Sequence, residues 1–252
     1  MTATALTIDD PAYFARLAEV DAVHWWSLGM WRIAACWLAE ALRGRRGLHA
    51  LDVGCGTGMG AVRLAERPEI AQVIGLDPSP PALAEARRRH GFPLVQGSAL
   101  ALPFAAARFD VVTCFDVLQH LPEGGLYEAA GELRRVLRPD GIAVLRSNTE
   151  PGRSRLDQLG RVFAATGFAV RRASYANCLP ALVQELRMRI ASPHRSGHPA
   201  GGGLQIRVPH PWVNRVMGGI TAAEAFVAGR LAARLPYGHS TMFLVQVHAA
   251  HS

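Results

Sequence analysis

Glycines stand at positions 54, 56 and 58, directly after a short apolar run, His49-Ala-Leu-Asp-Val53. No other stretch constrains the fold as tightly. Glycines on alternate positions let a backbone leave a strand in a tight turn and come close to a ligand, where side chains would stand in the way. Helical spacing follows over Gly60 to Arg67, so the segment reads strand, turn, helix. A second apolar run, Ala71-Gln-Val-Ile-Gly-Leu76, ends at Asp77, 21 residues after Gly56. A carboxylate there can accept both hydroxyls of a ribose. The two segments together read as a nucleoside-cofactor site at the carboxyl ends of parallel strands.

The alternation continues along the chain. Further strands are expected over Pro93–Gln96, Phe109–Phe115, Ile142–Arg146, Phe168–Tyr175 and Thr241–His248. Helices are expected at about 80–90, 125–137 and 156–166, the last closed by Gly167. Upstream, 10–43 reads as helices, with Asp9 or Asp10 as a cap before Pro11 and a longer helix from Trp25 to Leu42. Strands alternating with helices argue for an α/β fold whose mainly parallel sheet is covered on both faces. About sixty residues, 177–238, separate the last two strands, with helices expected near 180–191 and 211–234 around a Pro/Gly-rich segment. An insertion of that size in a compact sheet is more often functional than idle. The organisation expected is a helical cap (1–44), a core (45–176), a helical insertion (177–238) and a final strand with tail (239–252).

Charge divides the chain unevenly. All 27 basic residues are arginine, as a GC-rich genome would give. Residues 1–150 hold 15 of them against 17 acids, and residues 151–252 hold 12 against Asp157, Glu185 and Glu224 alone. Such an excess suits an anionic partner or acceptor, or a solvated face. The four cysteines, Cys36, Cys55, Cys114 and Cys178, are scattered without a C-x-x-C pair, and the first residues are acidic where a secretory signal is basic. No apolar run reaches the ~20 residues that cross a bilayer. A cytoplasmic setting with reduced thiols is expected. His194, His198 and His210 lie without companion cysteines or carboxylates, so no metal is expected.

The glycine run does not fit two common phosphate motifs: Met59 stands where G-x-G-x-x-G wants glycine or alanine, and no Lys-Ser/Thr pair completes a P-loop. Leu51-Asp-Val-Gly-Cys-Gly-Thr-Gly58 resembles motif I of the class I S-adenosylmethionine-dependent methyltransferases, usually close to (V/L)LDxGCGxG. Val73-Ile-Gly-Leu-Asp-Pro-Ser79 resembles the second motif with its ribose-binding acid. Gln96-Gly-Ser-Ala-Leu-Ala-Leu-Pro-Phe104 resembles the block beside the adenine, with Ser98 in place of the usual Asp. Phe109 to Leu121 resembles the fourth-strand motif, and Leu133 to Gly141 the turn after it. His24-Trp25-Trp26 is similar to a block found ahead of motif I in bacterial small-molecule methyltransferases (type 11-like), whose usual "HWWFxxRR" is represented here by Met30-Trp31-Arg32.

The resemblance implies a Rossmann-like seven-stranded sheet, S-adenosylmethionine as cofactor and methyl transfer as the reaction. Asp52, Gly54, Cys55, Gly56 and Gly58 would hold the methionine part, with Arg32 as a second anchor for its carboxylate. Asp77 would bind the ribose, while Leu76, Pro78, Ser98 and Ala99 frame the adenine. Asp116, Val117 and Gln119 would pass close to the reactive methyl. Trp25 and Trp26 read equally as core residues of a helix face or as an aromatic lid, Trp26 being the cofactor candidate. Cys55 and Cys114 read as packing residues. His120 is the candidate general base, and Tyr237 and His239 flank the same rim. An acceptor phenol, amine or enol would need a base, and a carboxylate would need none.

No N/D-P-P-Y/F motif follows the fourth strand, which weighs against amino-methylating DNA and protein-glutamine enzymes. The leading expectation is methylation of a small-molecule acceptor in secondary metabolism, with the insertion covering the acceptor. Its alternatives are methylation of RNA or of a carrier-bound intermediate, prompted by the basic C-terminal third, and a non-methylating cyclase or binding module of the same fold. Dispersed arginines and the lack of an appended RNA-binding module count against nucleic acid.

Overall fold

A computed structural model of the chain describes residues 11–148, 153–190, 209–231 and 233–247. The expectations for Asp9, Asp10, His194, His198, His248 and the Pro/Gly-rich segment up to Gly203 fall outside these residues. Two N-terminal helices, α1 (Pro11–Val23) and α2 (Trp25–Ala41), precede the sheet. There follow β1 (Leu48–Val53), α3 (Met59–Ala65), β2 (Ile70–Asp77), α4 (Pro80–Arg89), β3 (Leu94–Gln96) and β4 (Phe109–Phe115). A 3-10 turn, Leu118–His120, leads to α5 (Gly125–Val136), β5 (Leu137–Asn148), α6 (Arg153–Ala165) and β6 (Phe168–Ala176). The insertion carries α7 (Cys178–Ile190) and α8 (Pro211–Ala225), and β7 (Ser240–Val247) ends the described chain.

The strands form one seven-stranded sheet in the order β3-β2-β1-β4-β5-β7-β6. Every pair is parallel except those of β7, which runs antiparallel to both β5 and β6. Side chains alternate along each strand, so neighbouring residues serve different layers. Val111, Ile142, Val144 and Leu244 pack with Ile33, Trp37 and Leu38 of α2 and Ala225 of α8. Val112, Ala143, Leu145 and Val245 pack with Leu133 of α5 and Leu159 and Phe163 of α6. Burial on both faces explains why these strands read as unbroken apolar runs. From β1 the chain builds outward first through β2 and β3, then in the other direction through β4. This leaves a crevice between the carboxyl ends of β1 and β4, where sheets of this kind bind ligands.

Two boundaries depart from expectation. The helix expected over 211–234 ends at Ala225 and gives way to a wider π turn, Phe226–Arg230. Its carbonyls are taken by side chains: Trp37 Nε1 donates to Ala228 O at 2.9 Å and Arg172 Nη1 to Gly229 O at 2.9 Å. The fifth strand begins at Leu137, paired with Phe109, and the turn expected before it is a register shift within it. Asp140, at φ 61°, takes up the extra length there.

Candidate active site

The loop after β1 is held open by backbone geometry. Gly54, Gly56 and Gly58 have φ of 71°, 51° and 89°, a region that side chains strain to enter. The N–H groups of Gly54 and Cys55 donate to Leu76 O at 2.7 and 2.9 Å, tying the loop to the end of β2. A Cβ on Gly54 would overlap Cγ2 of Val117, so the loops after β1 and β4 touch across the crevice.

Asp77 closes this arrangement. Its Oδ2 accepts from Gly56 N–H at 2.8 Å and its Oδ1 from Ser79 N–H at 2.9 Å. Burial raises its pKa, opposed by those two N–H donors. Each oxygen takes one of these bonds and keeps a lone pair for a hydroxyl. Asp52 sits differently. It is buried, accepts from Thr113 Oγ1 at 2.7 Å, and is pushed up to about 7 by burial, with Thr113 and the Ala61 N–H acting against the shift. Its bonds point into the protein, so it braces the loop and the start of α3. Burial pushes the Cys55 and Cys114 thiols well above their ordinary range, as packing residues require.

At the other end, Leu76 is fully buried and Ala99 nearly so. Pro78 is exposed, its carbonyl accepting from Gln96 Nε2 at 3.3 Å. Ser98 Oγ accepts from Leu100 N–H at 3.1 Å, which leaves its O–H free to donate where the family's usual Asp would accept.

Beyond β4 the polar groups converge on an arginine that the motif pattern does not include. Arg146, at the end of β5, pairs through Nη1 with Asp116 and donates through Nη2 to Asn148 Oδ1 at 2.7 Å and Ser240 Oγ at 3.3 Å. Its guanidinium carbon lies 3.8 Å from the centroid of the Trp26 ring. Its Nε is buried without a protein partner. Gln119 braces the same wall, accepting from Ser147 Oγ and Asn148 N–H, both at 3.2 Å, and donating to Asp116 Oδ1 at 3.4 Å. Ser240 Oγ also accepts from Asn177 Nδ2 at 3.3 Å, and Asn177 Oδ1 is a second buried atom without a partner.

The N-terminal helices complete the rim. Asp21 of α1 is pushed up to about 6 by burial, with Arg63 of α3 lowering it and Asp116 raising it further. Arg63 donates to Asp21 O at 3.1 Å and lies 5.8 Å from the Trp31 centroid. Arg32 sits elsewhere. Six positions beyond Trp26, it is turned about 240° around α2, donates to Gly218 O at 3.1 Å, and lines a cavity of about 550 Å³ between α2 and α8. The structure therefore does not bring it to the glycine loop.

His120 is exposed at the end of the 3-10 turn, its Nε2 3.5 Å from Gln119 Nε2. Tyr237, whose carbonyl accepts from the Cys178 thiol, and His239, whose Nε2 is buried without a partner, lie on the segment that delivers Ser240. His120 and His239 thus each adjoin a member of the Arg146 cluster. His210 is the residue preceding α8, and among the described residues no cluster of acids, histidines and cysteines could hold a metal ion.

A family model described as a methyltransferase domain matches residues 50–141, the stretch from β1 through the loops just described. Over that stretch the chain is similar to the class I S-adenosylmethionine-dependent methyltransferases. Curated proteins similar to it include the demethylmenaquinone methyltransferase of Thermus thermophilus and the ubiquinone biosynthesis O-methyltransferase of Azorhizobium caulinodans. The first is 39% identical over 119 residues, covering 45% of this chain and 53% of the relative. The second is 35% identical over 113 residues, covering 42% and 43%. The chain thus spans about half the length of these curated relatives. Among solved structures, the [4+2]-cyclase SpnF superposes with a TM-score of 0.53 at 22% identity, over 84% of this chain and 79% of that one. That likeness shows the shared fold and leaves the chemistry to the site.

S-adenosylmethionine is the cofactor of this methyltransferase family, and the residues present fit it. The loop at Gly54 to Gly58 admits close approach, Asp77 offers a lone pair on each oxygen, and Ser98 keeps a free donor. Sequence reasoning missed Arg146, Asn148, Ser240, Asn177, Asp21 and Arg63. The available signal was a charged residue closing the apolar run Ile142-Ala-Val-Leu-Arg146, at a strand end buried on both faces.

Proposed function

We propose that this methyltransferase carries a methyl group from S-adenosylmethionine to a small-molecule acceptor, in bacterial secondary metabolism. The observation that carries this reading is the pairing of Asp77 with the Gly56 N–H at the crevice between β1 and β4. A carboxylate beside a side-chain-free loop supports reading this place as the ribose site, with the Asp116–Arg146 pair and Trp26 beyond it. The bound cofactor supplies an electrophilic methyl on a sulfonium. The chain's own part is to position: near-attack placement of an acceptor supplies most of the catalysis in such a displacement. Asp116, Val117 and Gln119 form the wall beside the loop. His120, Tyr237 and His239 stand on the rim, where one of them would take the proton of a hydroxyl or amino acceptor.

The insertion 177–238 is read as the cover over that acceptor. What supports this is its attachment to the N-terminal cap. Trp25 N–H donates to Asn214 Oδ1, and Asn214 Nδ2 to Val23 O, both at 2.9 Å. Gly29 faces Thr221 where a Cβ would clash at 2.5 Å, so α2 and α8 lie against each other. Arg215 and Arg32 both line the cleft between them, suiting an anionic or carrier-bound acceptor. A cytoplasmic setting is part of the proposal. All four cysteines are free, and among the described residues no helix is long and apolar enough to cross a membrane.

Comparative mass spectrometry of a host with and without the gene tests the reading, with isotope-labelled methionine marking the transferred methyl. A metabolite that gains one labelled methyl only when the gene is present supports it. Consumption of S-adenosylmethionine with no methylated small molecule would overturn it.

A further inference from the structure

The Asp116–Arg146 pair is asymmetric. The Arg146 side chain is 2% exposed, whereas that of Asp116 is 32% exposed. The anion borders the crevice and its countercharge is sealed behind it. The backbone enforces this order. Asp116 takes φ 60° at the end of β4, its N–H donates to Arg146 O at 3.1 Å, and the next residue, Val117, packs on Gly54. Asn148, Ser240 and the Trp26 face then fix the guanidinium from three further directions.

We propose that Arg146 is the charge-compensating residue of the cofactor crevice, neutralising Asp116 so that the charged sulfonium is not held much more tightly than the neutral thioether it becomes. This rests on the reading of the crevice as the S-adenosylmethionine site. In methyl transfer an acceptor lone pair would form the new bond to the methyl carbon as the sulfur–methyl bond breaks. The bonding pair would stay on sulfur, and the positive charge would pass to the acceptor and leave with its proton or neutralise its negative charge. A bare carboxylate at this place would grip the ground state better than the transition state and slow the step. It would also favour fresh cofactor over spent product in binding. Asp116 is needed as a wall, and Arg146 removes the electrostatic penalty of having it there.

The test is calorimetric titration with S-adenosylmethionine and with S-adenosylhomocysteine, reading the ratio of the two dissociation constants. It is run at about pH 8, above the titrations of Asp21 near 6 and Asp52 near 7, so that both are largely ionised in every variant. Arg146→Met shifts the ratio toward S-adenosylmethionine on the order of tenfold, the scale of one uncompensated charge in a half-buried site. Asp116→Asn shifts it the other way by a similar factor, because Arg146 is then unopposed. Arg146→Lys and the double variant D116N/R146M stay within about threefold of the parent ratio, since each restores charge balance. A purely structural role would move both affinities together and leave the ratio alone. An unmoved ratio in Arg146→Met and Asp116→Asn overturns the proposal. If Arg146→Met does not fold, the double variant D116N/R146M compared with Asp116→Asn decides: the ratio returns toward the parent value when the unopposed cation is removed, and an unmoved ratio between those two overturns the proposal. If the parent protein binds neither nucleoside, the cofactor reading falls and this proposal with it; binding with an unmoved ratio removes this proposal alone.

Discussion

The guanidinium of Arg146 stacks on the indole of Trp26 at 3.8 Å, joining the end of β5 to the start of α2. A desolvated cation over a tryptophan face contributes about 2 kcal/mol or more. Burial pushes the Arg146 pKa down and Asp116 opposes the shift, so the cation is held by its neighbours rather than by water. Trp26→Leu keeps an apolar cover but removes the ring face. It lowers the unfolding free energy in urea by about 2 kcal/mol, and Trp26→Phe by roughly half of that. Equal stability of Trp26→Leu and the parent would show that the stack does not couple these elements.

Gly54 is fixed by two separate demands, a φ of 71° and the space taken by Val117. Gly54→Ala is expected to cost about 1–3 kcal/mol of stability. Adding Val117→Ala recovers the steric part only, because the backbone strain remains. Full recovery in the double variant, measured by thermal unfolding, would mean that strain contributes nothing.

Asp52, pushed up to about 7, binds a proton in the folded state well above the pH at which it loses it when unfolded. The folded chain therefore holds more protons between about pH 4 and 7, and this group's contribution to stability falls as pH rises through that window. Asp21, near 6, acts in the same direction. Asp52→Asn is expected to flatten the decline in melting temperature between about pH 5 and 7. An unchanged slope would place the decline on other groups.

Glu224 caps the first turn of α7 from α8. Its carboxylate accepts from Asn177 N–H at 2.7 Å and Leu179 N–H at 3.0 Å, and Asn177 holds φ 60° to present its N–H. Bonds to a charged acceptor are worth about 1.5–3 kcal/mol each. Glu224→Ala is expected to speed amide exchange over residues 177–181 at least tenfold while the central strands stay protected. Unchanged exchange there would separate α7 from α8.

The core was legible because its causes are local. Apolar runs bounded by glycine and proline marked the strands, and Asp77 announced itself by its distance from Gly56. The Arg146 cluster was not, because its members come from β4, β5, α2 and the approach to β7, and only the folded sheet brings 26, 116, 146, 148 and 240 together. Arg32 misled for a related reason. Proximity to Trp26 in sequence says little about facing, and six positions along a helix turn a side chain toward α8. The end of α8 was misread because tertiary bonds from Trp37 and Arg172 take carbonyls that periodicity assigns to the helix.

The central claim is that the crevice beside Asp77 binds S-adenosylmethionine. Calorimetric titration of the parent chain and of Asp77→Ala tests it most directly. Saturable binding to the parent is expected, with a loss of about a hundredfold in Asp77→Ala, the scale of losing charge-assisted hydrogen bonds to the ribose. Absence of binding to the parent, or equal affinity in a folded Asp77→Ala, would contradict it.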